Sequence, residues 1–126
     1  MSVNSQETSS QSADSVINFI EAKFPGGDSA LIQFIDDNLI YPKVARMMGN
    51  QGLVIVSFIV DVNGEIKSIA LEKSNTEELD HEAKRIISIM PPWIPAQLGE
   101  DRVESKCILP ISFVLENKKS KKRSSN

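Results

Sequence analysis

The segment from Leu53 to Val62, followed at once by Asn63-Gly64, constrains this chain most. Val54, Val56, Phe58, Val60 and Val62 alternate on one face, the period of a β-strand. The other face carries Leu53, Ile55, Ser57, Ile59 and Asp61, so it is partly apolar too. Asn-Gly supplies the positive-φ residues that a tight hairpin turn requires. A return strand is therefore expected over Glu65 to Lys73. Ile66 is out of step there with Ile69 and Leu71, which predicts a bulge near Lys67-Ser68.

The elements on either side read as helices and one further strand. Leu31, Phe34, Ile35 and Leu39 make an amphipathic helical stripe, with Asp28 or Ser29 as N-cap. Pro42 to Met48 reads as a short second helix with Gly49 at its exit. Leu79, Ala83, Ile86, Ile87 and Met90 form another stripe, opened by the capping-box spacing of Ser74 and Glu77 and stopped at Pro91-Pro92. Trp93 is expected to plug the end of the core, and Gly99 to sit in a loop. Whether Val16 to Ile20 is a strand or a helical turn is left open by its period. The last strand, Val103 to Leu115, alternates Cys107, Leu109, Ile111, Phe113 and Leu115 on one face.

This order specifies an α+β fold, a three-stranded antiparallel or mixed sheet with helices on one face. A right-handed crossover puts the strands in the order two, one, three. The last strand is then an edge, and Pro110 agrees with that. A proline cannot donate to the ladder, so it belongs at an edge with its nitrogen facing outward. By period two the backbones of Ile108, Ser112 and Val114 also face outward, ready for an added strand. A partner is therefore expected along Val103, Ser105, Cys107, Ile108, Leu109, Pro110, Ile111, Ser112, Phe113 and Val114.

Composition narrows the chemistry. There is one cysteine, Cys107, and one histidine, His81. Structural zinc sites take about four such ligands, and an internal disulfide takes two cysteines. Cys107 lies on an apolar strand face and His81 off its helix stripe, so no nucleophilic pair is expected. The chain reads as a binding domain with no catalytic residues, metal or cofactor. Lys118 to Arg123 holds five of the 14 basic residues, leaving 9 basic against 17 acidic elsewhere. The body is thus acidic, and no nucleic-acid partner is expected. Disorder is expected over Met1 to Ser15 and over the basic tail, Asn117 to Asn126, flanking one domain from Val16 to Glu116. Leu53, Ile55 and Ile59 with Ile69 and Leu71 are expected to share the second sheet face, either covered by Val16 to Ile20 or open to a partner.

Six short motifs occur in order: Tyr41-Pro42; Gln51-Gly52-Leu53-Val54; Val60-Asp61-Val62-Asn63-Gly64-Glu65-Ile66; Leu79-Asp80-His81-Glu82-Ala83; Met90-Pro91-Pro92-Trp93-Ile94-Pro95-Ala96; and Leu109-Pro110-Ile111-Ser112-Phe113. Together they resemble the C-terminal domain of TonB energy transducers, and Phe24-Pro25-Gly26-Gly27 is similar to one branch of that family. The resemblance implies a periplasmic domain of Gram-negative bacteria that grips the TonB box peptide of an outer-membrane transporter as an added strand. Inner-membrane motor proteins are then reached only through a membrane helix, which this sequence does not contain. It also has no proline-rich spacer, and it carries Ala96 where many relatives have glycine. The chain is accordingly expected to be an excised domain or a soluble relative that only binds. An alternative is a sensor-attached module that binds another periplasmic protein or a cell-wall glycan. A homodimer through the open edge is also compatible with the pattern.

Overall fold

The computed structural model describes residues 18–115. The expected disordered ends and basic tail lie outside these residues, as do Val16, Ile17 and Glu116. In chain order the elements are β1 (Phe19–Ile20), α1 (Asp28–Asn38), α2 (Lys43–Met48), β2 (Gly52–Val60), β3 (Ile66–Lys73), α3 (Glu77–Ser88), β4 (Ala96–Leu98), β5 (Asp101–Val103) and β6 (Ser105–Phe113).

The main sheet has the order β3-β2-β6, and both of its ladders are antiparallel. This is the expected two-one-three order. The alternation of β2 works as its period requires as far as Val60; Val62, expected on the same face, lies in the turn and is 43% exposed. Val54, Val56, Phe58 and Val60 are 0–1% exposed and face the helices. Leu79, Ala83, Ile86 and Ile87 of α3 are fully buried against them. Apolar burial of this kind is the main stabilising term of the fold.

The bulge falls where Ile66 placed it. The register between β2 and β3 shifts between Ser57 and Ile59, opposite Ala70 and Lys67, and Ser68 takes φ 56°. The extra residue restores parity, so Ile66, Ile69 and Leu71 all pack against the core. That corrects the expected outer patch. Only Leu53, Ile55 and Ile59 remain on the second face, half-buried. Nor does Phe19–Ile20 cover them.

Instead β1 pairs antiparallel with β4, and β4 with β5, in a second small sheet of order β1-β4-β5. The expected loop around Gly99 is the turn of its β4–β5 hairpin. Val103 belongs to β5, opposite Ala96, and not to the last strand. Glu104 interrupts the chain, and β6 starts at Ser105.

Two caps also differ from expectation. α1 begins at Asp28 with Gly27 as N-cap and no side-chain cap bond. For α3 the cap is Thr76, whose Oγ1 accepts the Leu79 N–H at 3.3 Å, not Ser74. The Asp80 carboxylate meanwhile accepts the Asn75 N–H at 2.7 Å. Pro42 and Gly49 bracket α2, Gly49 in the left-handed region at φ 72°.

Trp93 is the expected plug. It is 8% exposed and meets Phe58 and Phe24 edge-on, with ring centroids at 5.3 and 5.9 Å. Its backbone N–H donates to the Gly64 carbonyl at 2.8 Å, which ties the plug to the β2–β3 turn. At the other end of the core Tyr41 packs edge-on against Phe113 and donates its hydroxyl to the Asn50 carbonyl.

The turn has its own charge. The Asp61 carboxylate accepts the N–H groups of Asn63 and Glu65 at 2.9 and 3.0 Å. These donors, Glu65 first, hold its pKa below the usual aspartate range. The folded value is thus below the unfolded one. The stabilisation is complete above the unfolded value of about 3.9 and is lost as pH falls through the folded value. Asp61→Asn keeps an acceptor and removes the titration. Thermal melts from pH 7 to pH 2 are expected to fall less steeply for this variant in the acid limb. Parallel acid limbs would refute the assignment.

Candidate functional site

β6 is the functional candidate because one of its sides is bonded throughout and the other is not. It pairs with β2 over nine residues without a register shift, from Phe113 opposite Gly52 to Ser105 opposite Val60. Among the described residues no strand pairs with its far side. Pro110 sits opposite Ile55 inside this continuous ladder. A residue without an N–H leaves the ladder intact only where its backbone faces away from the neighbour. The even-numbered residues therefore turn their backbone groups to the open side.

Side chains follow the same period. Ser105, Cys107 and Leu109 are half-buried, and Ile111 and Phe113 are 1% exposed. Ile111 and Phe113 thus serve the core and present no side chain to a partner. Ile108 and Val114, by contrast, are 58% and 59% exposed, and Ser112 and Pro110 are exposed with them. Of the ten residues named from the sequence, Val103 alone is not brought to this strand or its end. Lys106 was not among them, although its even parity places its backbone on the open side.

The outer face of the sheet is held by charge. Lys106 pairs with Glu72 at 3.3 Å, and Lys67 with Glu104 at 2.9 Å. The Ser57 hydroxyl, and then Lys106, keep the Glu72 carboxyl below its ordinary range. Ser57 itself is 3% exposed in the middle of the sheet. One polar crossing therefore spans all three strands, from Glu72 on β3 through Ser57 on β2 to Lys106 on β6.

A groove of about 440 Å³ opens beside the first half of the edge. All five residues Ser105 to Leu109 line it, so the strand itself forms one wall. The opposite wall is Glu21 and Ala22 after β1, with Asp28 and Leu31 of α1. Phe58 and Trp93 line it from the core. Beyond Pro110 the groove ends. The segment Glu21 to Lys23 is held in place by reciprocal backbone bonds between Lys23 and Ile94 at 3.0 and 2.8 Å. The sequence did not indicate the groove, because its walls come from opposite ends of the chain.

Burial pushes the Cys107 thiol pKa up, the reverse of what a thiolate nucleophile needs. His81 lines a different cavity, near Ile40, Pro42 and the start of α3. Among the described residues no three His, Cys, Asp or Glu side chains group as metal ligands. No helix there is long and apolar enough to cross a membrane.

Known proteins share this fold. A family model described as the Gram-negative bacterial TonB protein C-terminal matches residues 37–115. The Protein TonB of Pasteurella multocida is 33% identical over 90 residues, 71% of this chain and 34% of that protein. The Protein TonB of Helicobacter pylori is 29% identical over 115 residues, 87% of this chain and 39% of that protein. The chain thus spans little more than a third of the length of these curated relatives. An NMR solution structure of the Helicobacter pylori TonB C-terminal domain matches the fold with a TM-score of 0.54 at 24% identity. That match covers 74% of this chain and 88% of the other. The family model, which runs from the end of α1 past the end of β6 and covers more than half of the chain, leads to one assignment. The chain belongs to the family of Gram-negative bacterial TonB C-terminal domains.

Proposed function

We propose that this domain is the partner-binding end of a TonB-like energy transducer. In this reading it works in the periplasm and takes the TonB box peptide of an outer-membrane transporter as a fourth strand on β6. The observation that carries the reading is the nine-residue unbulged strand whose far side is unpaired among the described residues. Main-chain groups at a sheet edge bind an extended peptide by backbone bonds alone, so affinity does not require a deep pocket. Such a bond also suits a mechanical role, because a ladder pulled along its length loads all its hydrogen bonds together. Force would reach the domain through parts of the longer protein that precede it in relatives.

Pro110 makes the bound geometry specific. It leaves a gap in the donors, with Lys106 and Ile108 on one side and Ser112 on the other. An added strand must bond on both sides of that gap. Titration with a TonB-box peptide, followed by backbone amide shifts, is expected to move Ser105 to Val114 selectively. A silent β6 with movement on another surface would overturn the proposal.

Ser112→Pro sharpens the test. Ser112 is exposed and its N–H faces the open side, so the fold keeps its own bonds. The variant deletes one donor to the peptide, a bond worth about 1 kcal/mol net. Peptide affinity is expected to fall roughly five- to tenfold, with the melting temperature nearly unchanged. Equal affinity would show that the peptide bonds elsewhere.

A further inference from the structure

The groove beside Ser105 to Leu109 has a chemistry of its own. Strand addition would place a peptide about 4.8 Å from β6, with alternate side chains turned to the helix side. Over the first half of the edge those side chains meet the groove, next to Cys107 and Leu109. The lining of this groove stops at Leu109, short of Pro110.

The far wall is acidic. Glu21 and Asp28 are both exposed, and neither forms an ion pair among the described residues. The charge on Glu21 is felt at the Cys107 thiol across the groove. Lys106, the one cation of the lining, is bound to Glu72 on the other sheet face. The core side of the groove is apolar, with Leu31, Phe58 and Trp93. Trp93 also carries a buried indole N–H that has no acceptor. A lysine or arginine head carries no acceptor for that N–H, so the indole takes no part in the selection.

We propose, on the strand-addition reading above, that this groove selects an extended peptide with a lysine or arginine at the position beside Cys107. The aliphatic stem lies along Leu31 and Phe58, and the cationic head sits between Glu21 and Asp28. Long basic side chains commonly divide this way between apolar surface and charge. The groove thus adds side-chain selection to an edge that by itself reads only backbone.

Three capped nine-residue peptides of alternating threonine and valine test this, with the central valine replaced by lysine, leucine or glutamate. All three are expected to move the β6 amides. The lysine peptide is expected to bind about five- to tenfold more tightly than the leucine peptide, from two partly exposed charge contacts. The glutamate peptide is expected to bind most weakly. The differences are expected to shrink at 0.5 M salt, where the screening length is only about 4 Å. Glu21→Gln combined with Asp28→Asn is expected to level the three affinities. Equal affinities in the parent, or a preference for leucine, with β6 amides still moving, would overturn the groove proposal and leave strand addition standing. A lysine preference that survives the double variant would also overturn it. Silence of β6 with all three peptides would overturn strand addition itself.

Discussion

Gly64→Ala is expected to destabilise the domain by about 4 kcal/mol, a drop of roughly 20 °C in melting temperature for a domain of this size. Gly64 ends the β2–β3 turn at φ 86° and is buried. A Cβ added there would overlap the Trp93 backbone carbonyl. Backbone cannot step aside as a flexible side chain does. The carbonyl of Trp93 must move, and with it the bond from the Trp93 N–H to the Gly64 carbonyl. Left-handed strain contributes about 1–2 kcal/mol. The displaced bond and the disturbed packing of Trp93 on Phe58 supply the rest. Denaturant melts with Trp93 fluorescence read both stability and the site of the change. A loss below about 1 kcal/mol would show that the contact between turn and plug is not tight. Gly49→Ala is the control, since open space surrounds its Cβ position and only the φ strain applies.

The second large effect is expected at Glu82. It lies on α3 and is 5% exposed. One carboxylate oxygen accepts the Ile40 N–H at 2.7 Å and an Arg85 N–H at 2.9 Å; the other accepts the Arg85 Nε–H at 2.7 Å. Arg85 in turn donates to the Asn38 carbonyl at 2.8 Å. The pair therefore satisfies orphan backbone groups at the exit of α1 and docks that exit onto α3. The carboxylate of Glu82 first of all holds the Arg85 guanidinium charged. Breaking a buried pair costs about 3–5 kcal/mol. The Arg85 side chain is 33% exposed and can be rehydrated, which favours the low end. Glu82→Ala is thus expected to cost about 3 kcal/mol, and Glu82→Gln about half of that, because an amide oxygen still accepts from Ile40. Urea melts with an unchanged slope would report these as true stability losses. Equal losses for the two variants would mean that charge contributes nothing.

These two sites show different limits of sequence reading. The turn at Asn63-Gly64 was legible, and Gly64 does take positive φ, but Asn63 does not, since the turn spans Asp61 to Gly64 and needs a left-handed residue only at its end. That Gly64 also has to let the Trp93 backbone pass was not legible, since the contact joins segments far apart in the chain. Glu82 belongs, on helix periodicity, with favourable charges near a helix start. Its burial follows from the path of the α1–α2 connection, which no period encodes. The cap at Thr76 was missed for a related reason. Ser74, Asn75 and Thr76 all offer side-chain oxygens, but the Asn75 amide oxygen accepts the Thr76 N–H and the Ser74 hydroxyl turns to the Asn75 carbonyl, which leaves Thr76 to cap.

The main sheet was readable almost whole. Its strands are eight or nine residues long, enough for an alternating pattern to stand out and for Ile66 to betray the bulge. The small sheet was not, because strands of two or three residues carry less than two periods. The sequence alone determined that β6 is an edge, through Pro110, whose missing N–H is a covalent fact independent of any partner. Only the tertiary structure decided that this edge is uneven, with an acid-lined groove whose strand wall runs from Ser105 to Leu109 and stops short of Pro110. The groove needs Glu21 and Asp28 set against Cys107, and that juxtaposition exists only once β1 has paired with β4 and fastened the start of the domain alongside the final strand.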